Sequence, residues 1–257
     1  MRNFDKSLKK RGAALVTGAS RGLGYALAYE LSKQGYALII SARDEEALKK
    51  AAEKIGEGTR IYVADLSVPG EAKRLYERIK ADGIKLSVLV NNAGIGASGE
   101  AWNVPEQLDR DMTQINVNSA LTLTKLFLAD ACGRGYGALL NVCSVGAFQP
   151  GPYTASYYAS KSFLHSYTLA VRYEAKKYGV SVSSLCPGPL DTEFFERANA
   201  NKPKTATSPD KAAKYAVKKF LRGKKTIVPG FYNRLARLVP AGIKTQFIAK
   251  IKKTRGN

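Results

Sequence analysis

The sequence predicts an α/β protein built on a doubly wound parallel sheet, and three observations carry that prediction. A short apolar run, Ala13 to Thr17, leads directly into the glycine turn Gly18-Ala19-Ser20-Arg21-Gly22-Leu23-Gly24 and then into a helical stretch from Tyr25 to Lys33. Apolar runs of strand length go on alternating with helical stretches along the chain, the pattern expected of right-handed crossovers in a parallel sheet. With 257 residues, the chain can bury one such core undivided.

Glycines in the first turn let the backbone approach a pyrophosphate, and the helix N-terminus behind them offers unpaired N–H groups and a positive partial charge. The turn reads as a nucleotide site, with Ser20 and Arg21 as its polar members. The second strand, Ala37 to Ser41, ends at Ala42-Arg43-Asp44. In dinucleotide folds a carboxylate at this tip bonds a free ribose 2′-hydroxyl, whereas a cation accommodates a 2′-phosphate. Arg43 and Arg21 are expected to converge here, which predicts NADP(H) in preference to NAD(H). Asp44 is expected to cap the helix that opens with Glu45-Glu46-Ala47-Leu48.

A third strand, Arg60 to Ala64, is followed by Asp65-Leu66-Ser67, placed to border an adenine, to cap the next helix, or both. The helix Glu71 to Asp82 leads into a fourth strand, Leu86 to Val90, and then Asn91-Asn92-Ala93-Gly94. Small residues there let backbone pass close to a flat ligand while the amides bond neighbouring strands. Pro105 to Cys132 reads as one long helix whose apolar pattern is interrupted by Asn116 and Asn118. A buried asparagine in mid-helix must be hydrogen-bonded, so one of them is expected to bend the helix or hold a water. The fifth strand, Leu139 to Cys143, delivers Ser144 to its C-terminal edge, where ligands sit in parallel sheets.

Tyr157 and Lys161 follow on a helix that runs to about Tyr178. Four residues apart, they stack on one helical face and can act on one ligand; a fixed cation near a phenol favours the phenolate and brings the group toward acid/base use. A sixth strand, Val180 to Leu185, precedes Cys186-Pro187-Gly188. Residues 189–208 read as a mobile flap over a cleft, with Phe194 and Phe195 as its apolar underside. A helix from Ser208-Pro209-Asp210 to Arg222 and a last strand, Thr226 to Gly230, complete a domain over residues 1–230. Residues 231–257 form a basic amphipathic extension broken at Pro240-Ala241-Gly242. Its apolar side is Phe231, Leu235, Leu238, Val239, Ile243, Phe247, Ile248 and Ile251, and it is expected to pack on or beside the domain.

The net charge is +20, from 41 basic and 21 acidic residues. Sixteen of the basic residues but only one acid, Asp210, fall between Lys202 and Asn257. Such an imbalance either attracts an anionic partner or forms a solvated face. Apolar periodicity in the tail suits an anionic membrane surface or a docked helix better than single-stranded RNA, so nucleic acid is not an expected partner. Cys132, Cys143 and Cys186 lie within apolar segments and lack the paired spacing of a metal site or disulfide framework; no metal is expected, and a reduced compartment is. The basic start is followed by no long apolar block, so neither a signal peptide nor a membrane span is expected, which points to the cytoplasm or a peripheral place on a membrane.

Thr17-Gly18-x-x-x-Gly22-x-Gly24, Asn91-Asn92-Ala93-Gly94, Asn116, Ser144, Tyr157-x-x-x-Lys161 and Pro187-Gly188 together resemble the short-chain dehydrogenase/reductase family, over roughly Ala13 to Thr192. The resemblance implies a Rossmann-type sheet with helices on both faces, and NADP(H)-dependent hydride transfer involving a carbonyl or secondary alcohol. It makes Tyr157 the acid/base and Ser144 the hydroxyl on the substrate oxygen. Lys161 would hold the nicotinamide ribose and lower the phenol pKa, and Asn116 would anchor a water linking Lys161 to solvent. The cofactor would rest on Gly18, Ser20, Arg21, Gly22, Leu23 and Gly24 of the turn, on Arg43, Asp65 and Leu66 at the adenosine end, and on Asn92, Ala93, Gly94, Tyr157, Lys161, Pro187, Gly188 and Thr192 along the sheet edge.

A homo-oligomer packed through the helices Pro105 to Cys132 and Tyr157 to Tyr178 is implied as well. The strand end Ile227-Val228-Pro229-Gly230 departs from the Val-Asp-Gly-Gly of many acyl-carrier-protein reductases of that family. Val145, Phe148, Tyr153, Phe194 and Phe195 are apolar pocket candidates, which favours a lipophilic ketone as substrate. The competing expectation is an NADP(H)-binding sensor or scaffold that works through its tail on an anionic membrane or RNA. The intact set of Ser144, Tyr157, Lys161 and Asn116 argues against it, since a sensor needs only the glycine turn.

Overall fold

Seven parallel strands form one sheet in the order β3-β2-β1-β4-β5-β6-β7. The strands are β1 (Ala13–Thr17), β2 (Leu38–Ala42), β3 (Arg60–Val63), β4 (Leu86–Asn91), β5 (Gly137–Val142), β6 (Val180–Leu185) and β7 (Thr226–Ile227). Strand order reverses between β1 and β4, so the crevice outside their C-terminal ends is the expected ligand site of such a sheet. The computed structural model describes residues 8–253, with side chains to residue 250. The basic leader before Leu8, Ile251 on the apolar side of the tail, and residues 254–257 lie outside that description.

Every residue of β1, β4 and β5 is buried, because helices cover both faces of the sheet. Along β1 the side chains alternate: Ala14 and Val16 join the core under helices α1 (Gly22–Lys33), α2 (Glu45–Ile55) and α8 (Pro209–Phe220), whereas Ala13 and Leu15 join the core on the other side. That second core is covered by α3 (Glu71–Ala81), α5 (Ala120–Arg134) and α6 (Ala155–Lys176), with Leu75, Ile79 and Phe127 among its fully buried side chains. The predicted doubly wound architecture is the one observed.

The sheet ends are joined by the groups the sequence placed there. Thr17 Oγ1 accepts from the backbone N–H groups of Asn92 (3.0 Å) and Ala93 (3.1 Å). Asn92 Nδ2 donates back to the carbonyls of Thr17 and Gly18, and Asn91 Nδ2 reaches Asn141 Oδ1 on β5 at 2.9 Å. Asp44 caps α2 as expected, its carboxylate accepting from Ala47 N–H at 3.0 Å.

Three local expectations are corrected, and the segment 189–208 shows structure of its own. The long helix is interrupted: α4 (Glu106–Thr113) passes into a π-helical segment, Gln114–Ser119, before α5. Asn116 within it is fully buried and bonded, the circumstance in which a widened turn is stabilised. The last strand pairs over only two residues, since Pro229 has no N–H to donate and Gly230 turns to φ +86. Asp65 does not cap α3, whose N-cap is Gly70; its carboxylate accepts instead from Ser67 N–H and Oγ. The segment 189–208 carries a short helix, α7 (Phe194–Arg197), and is closed at its base by a bridge between Leu190 and Thr207.

The C-terminal extension forms α9 (Phe231–Ala236) and α10 (Ala241–Lys253), separated at the expected Pro240. It touches the domain through Asn233 Nδ2 to Pro229 O (2.9 Å), Arg234 to the Tyr215 hydroxyl (2.8 Å) and Lys244 Nζ to Phe148 O (3.4 Å). Among the described residues no helix is long and apolar enough to cross a membrane.

Candidate active site

Tyr157 and Lys161 lie one turn apart near the start of α6, and both point at the C-terminal end of β5. The Lys161 ammonium donates to Val142 O at 3.0 Å and stands 5.9 Å from the centre of the Tyr157 ring. Ser144, two residues beyond Val142, stands beside the Tyr157 phenol, and its Oγ accepts from Gly146 N–H at 3.0 Å. Asn116 completes the group from the π-helical segment: its Oδ1 accepts from Ile95 N–H (3.0 Å), and its Nδ2 donates to Ile95 O (2.9 Å) and to Ser160 Oγ (3.0 Å). A Cβ added at Gly94 would lie 3.0 Å from both Asn116 Oδ1 and Lys161 Nζ, so glycine is what lets the β4 loop run over them. All four predicted catalytic candidates are therefore brought together. Ser160, which orients Asn116, was not among the predicted residues; its only signal is its place beside Lys161 on the inward side of the helix.

Burial dominates the electrostatics of this pair. Burial pushes the Tyr157 phenol up from its ordinary value near 10, with the nearby Ser144 hydroxyl opposing it. Burial likewise pushes Lys161 down. Desolvation penalises the charged form of each, so both are driven toward neutrality, and the Lys161 ammonium is held by the Val142 carbonyl.

The first turn fits a dinucleotide phosphate. Gly18 and Gly22 have φ of +64 and +57, and a Cβ at Gly24 would overlap the Gly18 carbonyl and the Asn92 amide. Thr192 closes over the turn, its methyl 3.3 Å from where a Gly22 Cβ would lie. Leu23 packs into the core beneath the turn, whereas Ser20 makes no side-chain hydrogen bond among the described residues. At the tips of β2 and β3 a cleft of ≈ 570 Å³ is lined by Arg43, Asp44, Val63, Ala64, Asp65 and Val68, among others. Leu66 lies buried beside that cleft, its carbonyl accepting from Ser119 Oγ at 2.8 Å.

Two cations were expected to converge at this end, and the structure treats them differently. Arg21 is held 3.1 Å from Asp44 and 3.1 Å from Glu193, a flap residue the sequence did not single out. Arg43 makes no ion pair among the described residues. Burial of Asp65 would raise its carboxyl, but bonds from Ser67 and the charge of Arg43 hold it below the usual range. Asp44 is doubly committed, to Ala47 N–H and to Arg21, and its carboxyl is lowered, mainly by the Ala47 bond.

Phe194 lies against Tyr157 with ring centres 5.4 Å apart, and Phe195 meets Phe194 edge-on, so the flap does have an apolar underside. Phe148 belongs elsewhere: its ring packs edge-on to His165 at 5.2 Å and under the Arg237 guanidinium at 5.1 Å. Pro187 O accepts from Val145 N–H at 2.9 Å, tying the β6 exit to the Ser144 loop, and Asn233 fills the space where a Gly188 side chain would project.

Comparison with known proteins supplies the deciding observation. The family model for short chain dehydrogenases matches residues 12–203. The chain belongs to the short-chain dehydrogenase family. A very-long-chain 3-oxoacyl-CoA reductase of Anas platyrhynchos is 36% identical over 185 residues, which span 68% of this chain and 58% of that protein's length. Among solved structures, a short-chain dehydrogenase from Sphingobium yanoikuyae in complex with NADPH superposes with a TM-score of 0.81 at 24% identity, covering 93% of this chain and 95% of that one. A 3-ketoacyl-(acyl-carrier-protein) reductase from Brucella melitensis complexed with NADH gives 0.77 at 26% identity, covering 85% and 96%. This short-chain dehydrogenase thus has an oxidoreductase fold whose relatives are seen with either nicotinamide dinucleotide.

One expectation follows from the phenol's burial. The raised Tyr157 pKa means that in ligand-free protein the group stays protonated up to and beyond pH 10. In an alkaline titration followed by tyrosinate absorbance, the difference between wild type and Tyr157→Phe should therefore be flat at neutral pH and develop only above pH ~10. A difference appearing near neutrality would show that the lysine outweighs desolvation.

Proposed function

We propose that this short-chain dehydrogenase is an NADPH-dependent carbonyl reductase, with Tyr157 as the acid/base and a lipophilic ketone as substrate; alcohol oxidation is the reverse. The observation that carries the reading is the meeting of the Tyr157 phenol and the Ser144 hydroxyl, with Lys161 and Asn116 buried behind them at the C-terminal edge of the sheet. When bound, the nicotinamide supplies hydride to the carbonyl carbon or takes it back.

The chain's own residues do the rest. Tyr157 gives its phenolic proton to the carbonyl oxygen, and Ser144 donates a second hydrogen bond to the same oxygen, so the charge that develops there meets two fixed donors. The Lys161 ammonium then lies one helical turn from the phenolate. Asn116 holds the Ile95 loop against Ser160 and keeps Lys161 in register with Gly94. The glycine turn at Gly18, Gly22 and Gly24 would hold the pyrophosphate; Asp65 and Leu66 would border the adenine, and Asn92, Ala93, Pro187, Gly188 and Thr192 would line the path to the nicotinamide.

Preference for the phosphorylated cofactor is supported by Arg43, which lines the adenosine cleft and makes no ion pair among the described residues, and by Asp44, whose two oxygens are already occupied. A lipophilic substrate is supported by the Phe194 ring against Tyr157, backed by Phe195, and by the name of the Anas platyrhynchos relative, a very-long-chain 3-oxoacyl-CoA reductase. The reading includes a homo-oligomer packed through α4, α5 and α6, on the last of which Phe163 and Tyr173 stand exposed. It also includes a cytoplasmic chain resting peripherally on anionic membrane through its extension. From Phe231 to Phe247 seven large apolar side chains are exposed, interleaved with Arg234 and Arg237, and no acid occurs between Phe231 and Asn257. No observation favours the sensor reading.

Tyr157→Phe should lower turnover by a factor of at least ~100 while leaving NADPH affinity unchanged, as measured by steady-state kinetics and cofactor fluorescence; substantial activity in the variant would refute the assignment. Arg43→Ala should weaken NADPH by about 10- to 100-fold with little change for NADH, the loss of one charge-assisted contact. Equal losses for the two would place the 2′-phosphate elsewhere. Full-length protein should co-sediment with phosphatidylserine-containing vesicles and not with neutral ones, and Leu238→Glu with Phe247→Glu should abolish this; unchanged sedimentation would remove the membrane contact.

A further inference from the structure

The chain contains one histidine and three cysteines, and the fold gathers that histidine and two of the cysteines at one point. Cys143 Sγ, Cys186 Sγ and a ring nitrogen of His165 all lie within 4.8 Å of one another. The convergence follows from strand register. Val142 faces Leu185 across β5 and β6, so the next residues, Cys143 and Cys186, emerge side by side, with Cys143 N–H donating to Leu185 O at 2.7 Å. His165, one helical turn beyond Lys161, brings Nδ1 to 3.7 Å from Cys186 Sγ. Both cysteines are buried, at 2% and 0% exposure, and the reaction proposed above uses none of the three groups.

We propose that Cys143, Cys186 and His165 form a binding site for a zinc-class divalent cation, with the Ser184 hydroxyl as fourth ligand. Tetrahedral zinc with ordinary Zn–S and Zn–N bonds sets sulfur and nitrogen about 3.6 Å apart and two sulfurs about 3.8 Å apart. The observed sulfur–nitrogen separation of 3.7 Å already matches, and the 4.8 Å limit on the rest asks for a contraction of about 1 Å at most. Ser184 Oγ now bridges the three, 2.7 Å from His165 Nδ1, 3.3 Å from Cys143 Sγ and 3.5 Å from Cys186 Sγ. Rotation of that hydroxyl toward a fourth corner opens the centre.

Charge balance favours a divalent ion. Two thiols release their protons to solvent as the metal binds, and two thiolates with a neutral imidazole around a dication make an uncharged unit suited to an apolar interior. The ion would tie together the strand ends that lead directly into Ser144 and into Pro187, stiffening the floor of the candidate active site without touching substrate.

The test is a Co²⁺ titration of tag-free, full-length protein, reduced with a phosphine and treated with chelator. One Co²⁺ per chain should bind with thiolate-to-cobalt charge-transfer absorption and tetrahedral ligand-field bands, and Zn²⁺ should displace it and raise the thermal midpoint. The charge-transfer band should be lost in Cys186→Ala, should weaken in His165→Leu, and should persist in Cys132→Ser. Absence of these bands in wild type overturns the proposal whether or not any variant folds. So do bands that survive in both Cys186→Ala and His165→Leu, or a reduced protein that takes up no metal and on air oxidation joins Cys143 to Cys186.

Discussion

Burying one carboxamide is the constraint from which the geometry of the candidate site follows. Asn116 has no exposed surface, yet both ends of its amide are satisfied by the two backbone groups of Ile95 and by Ser160 Oγ. To present the amide to the β4 loop, the helix widens into a π-helical turn, and that turn in turn anchors to the β3 exit through Ser119 and the Leu66 carbonyl. An apolar side chain at this position would strand the N–H and C=O of Ile95 in the interior, at about 1–3 kcal/mol for each unsatisfied group. The same amide holds the residue next to Lys161, so one satisfied side chain positions the loop, the ammonium and the glycine between them.

Desolvation is the second organising effect. It works on Tyr157 and Lys161 in opposite chemical directions with the same result, a neutral phenol and a destabilised ammonium. A protonated phenol is the form required for delivering a proton to a carbonyl oxygen. The ammonium is retained by the Val142 carbonyl, the last residue of β5. The strand thus serves both ends of the arrangement: its backbone holds the cation, and the residue two further on carries the hydroxyl beside the phenol.

Much of this was legible in the chain because it rests on local signals. Apolar runs bounded by turn residues mark the strands, glycines mark the first turn, and Asp44 ahead of Glu45-Glu46 marks a capped helix. The four-residue interval from Tyr157 to Lys161 places both on one helical face whatever surrounds them. What escaped depends on partners distant in sequence. A π turn and an α turn have the same composition, and only Ile95 and Ser160 decide between them at Asn116. Asp65 could cap or close a turn, and Gly70 at the helix start settles it. The pairing of Arg21 with Glu193 requires knowing where the flap lies. Cys143, His165 and Cys186 follow no metal-binding spacing, because they are brought together by the register of β5 against β6 and a turn of α6.

The exposed ridge of the two C-terminal helices also governs how the molecule behaves in bulk solution. Phe231, Tyr232, Leu238, Ile243 and Phe247 are each more than half exposed, on a chain carrying +20 net charge. At low ionic strength, mutual repulsion keeps such molecules apart even though each presents an oily surface. Added salt shortens the range of that repulsion to about 8–10 Å and leaves the apolar ridge as sticky as before. Colloidal stability therefore declines as electrolyte rises, the reverse of proteins whose association is held by ion pairs.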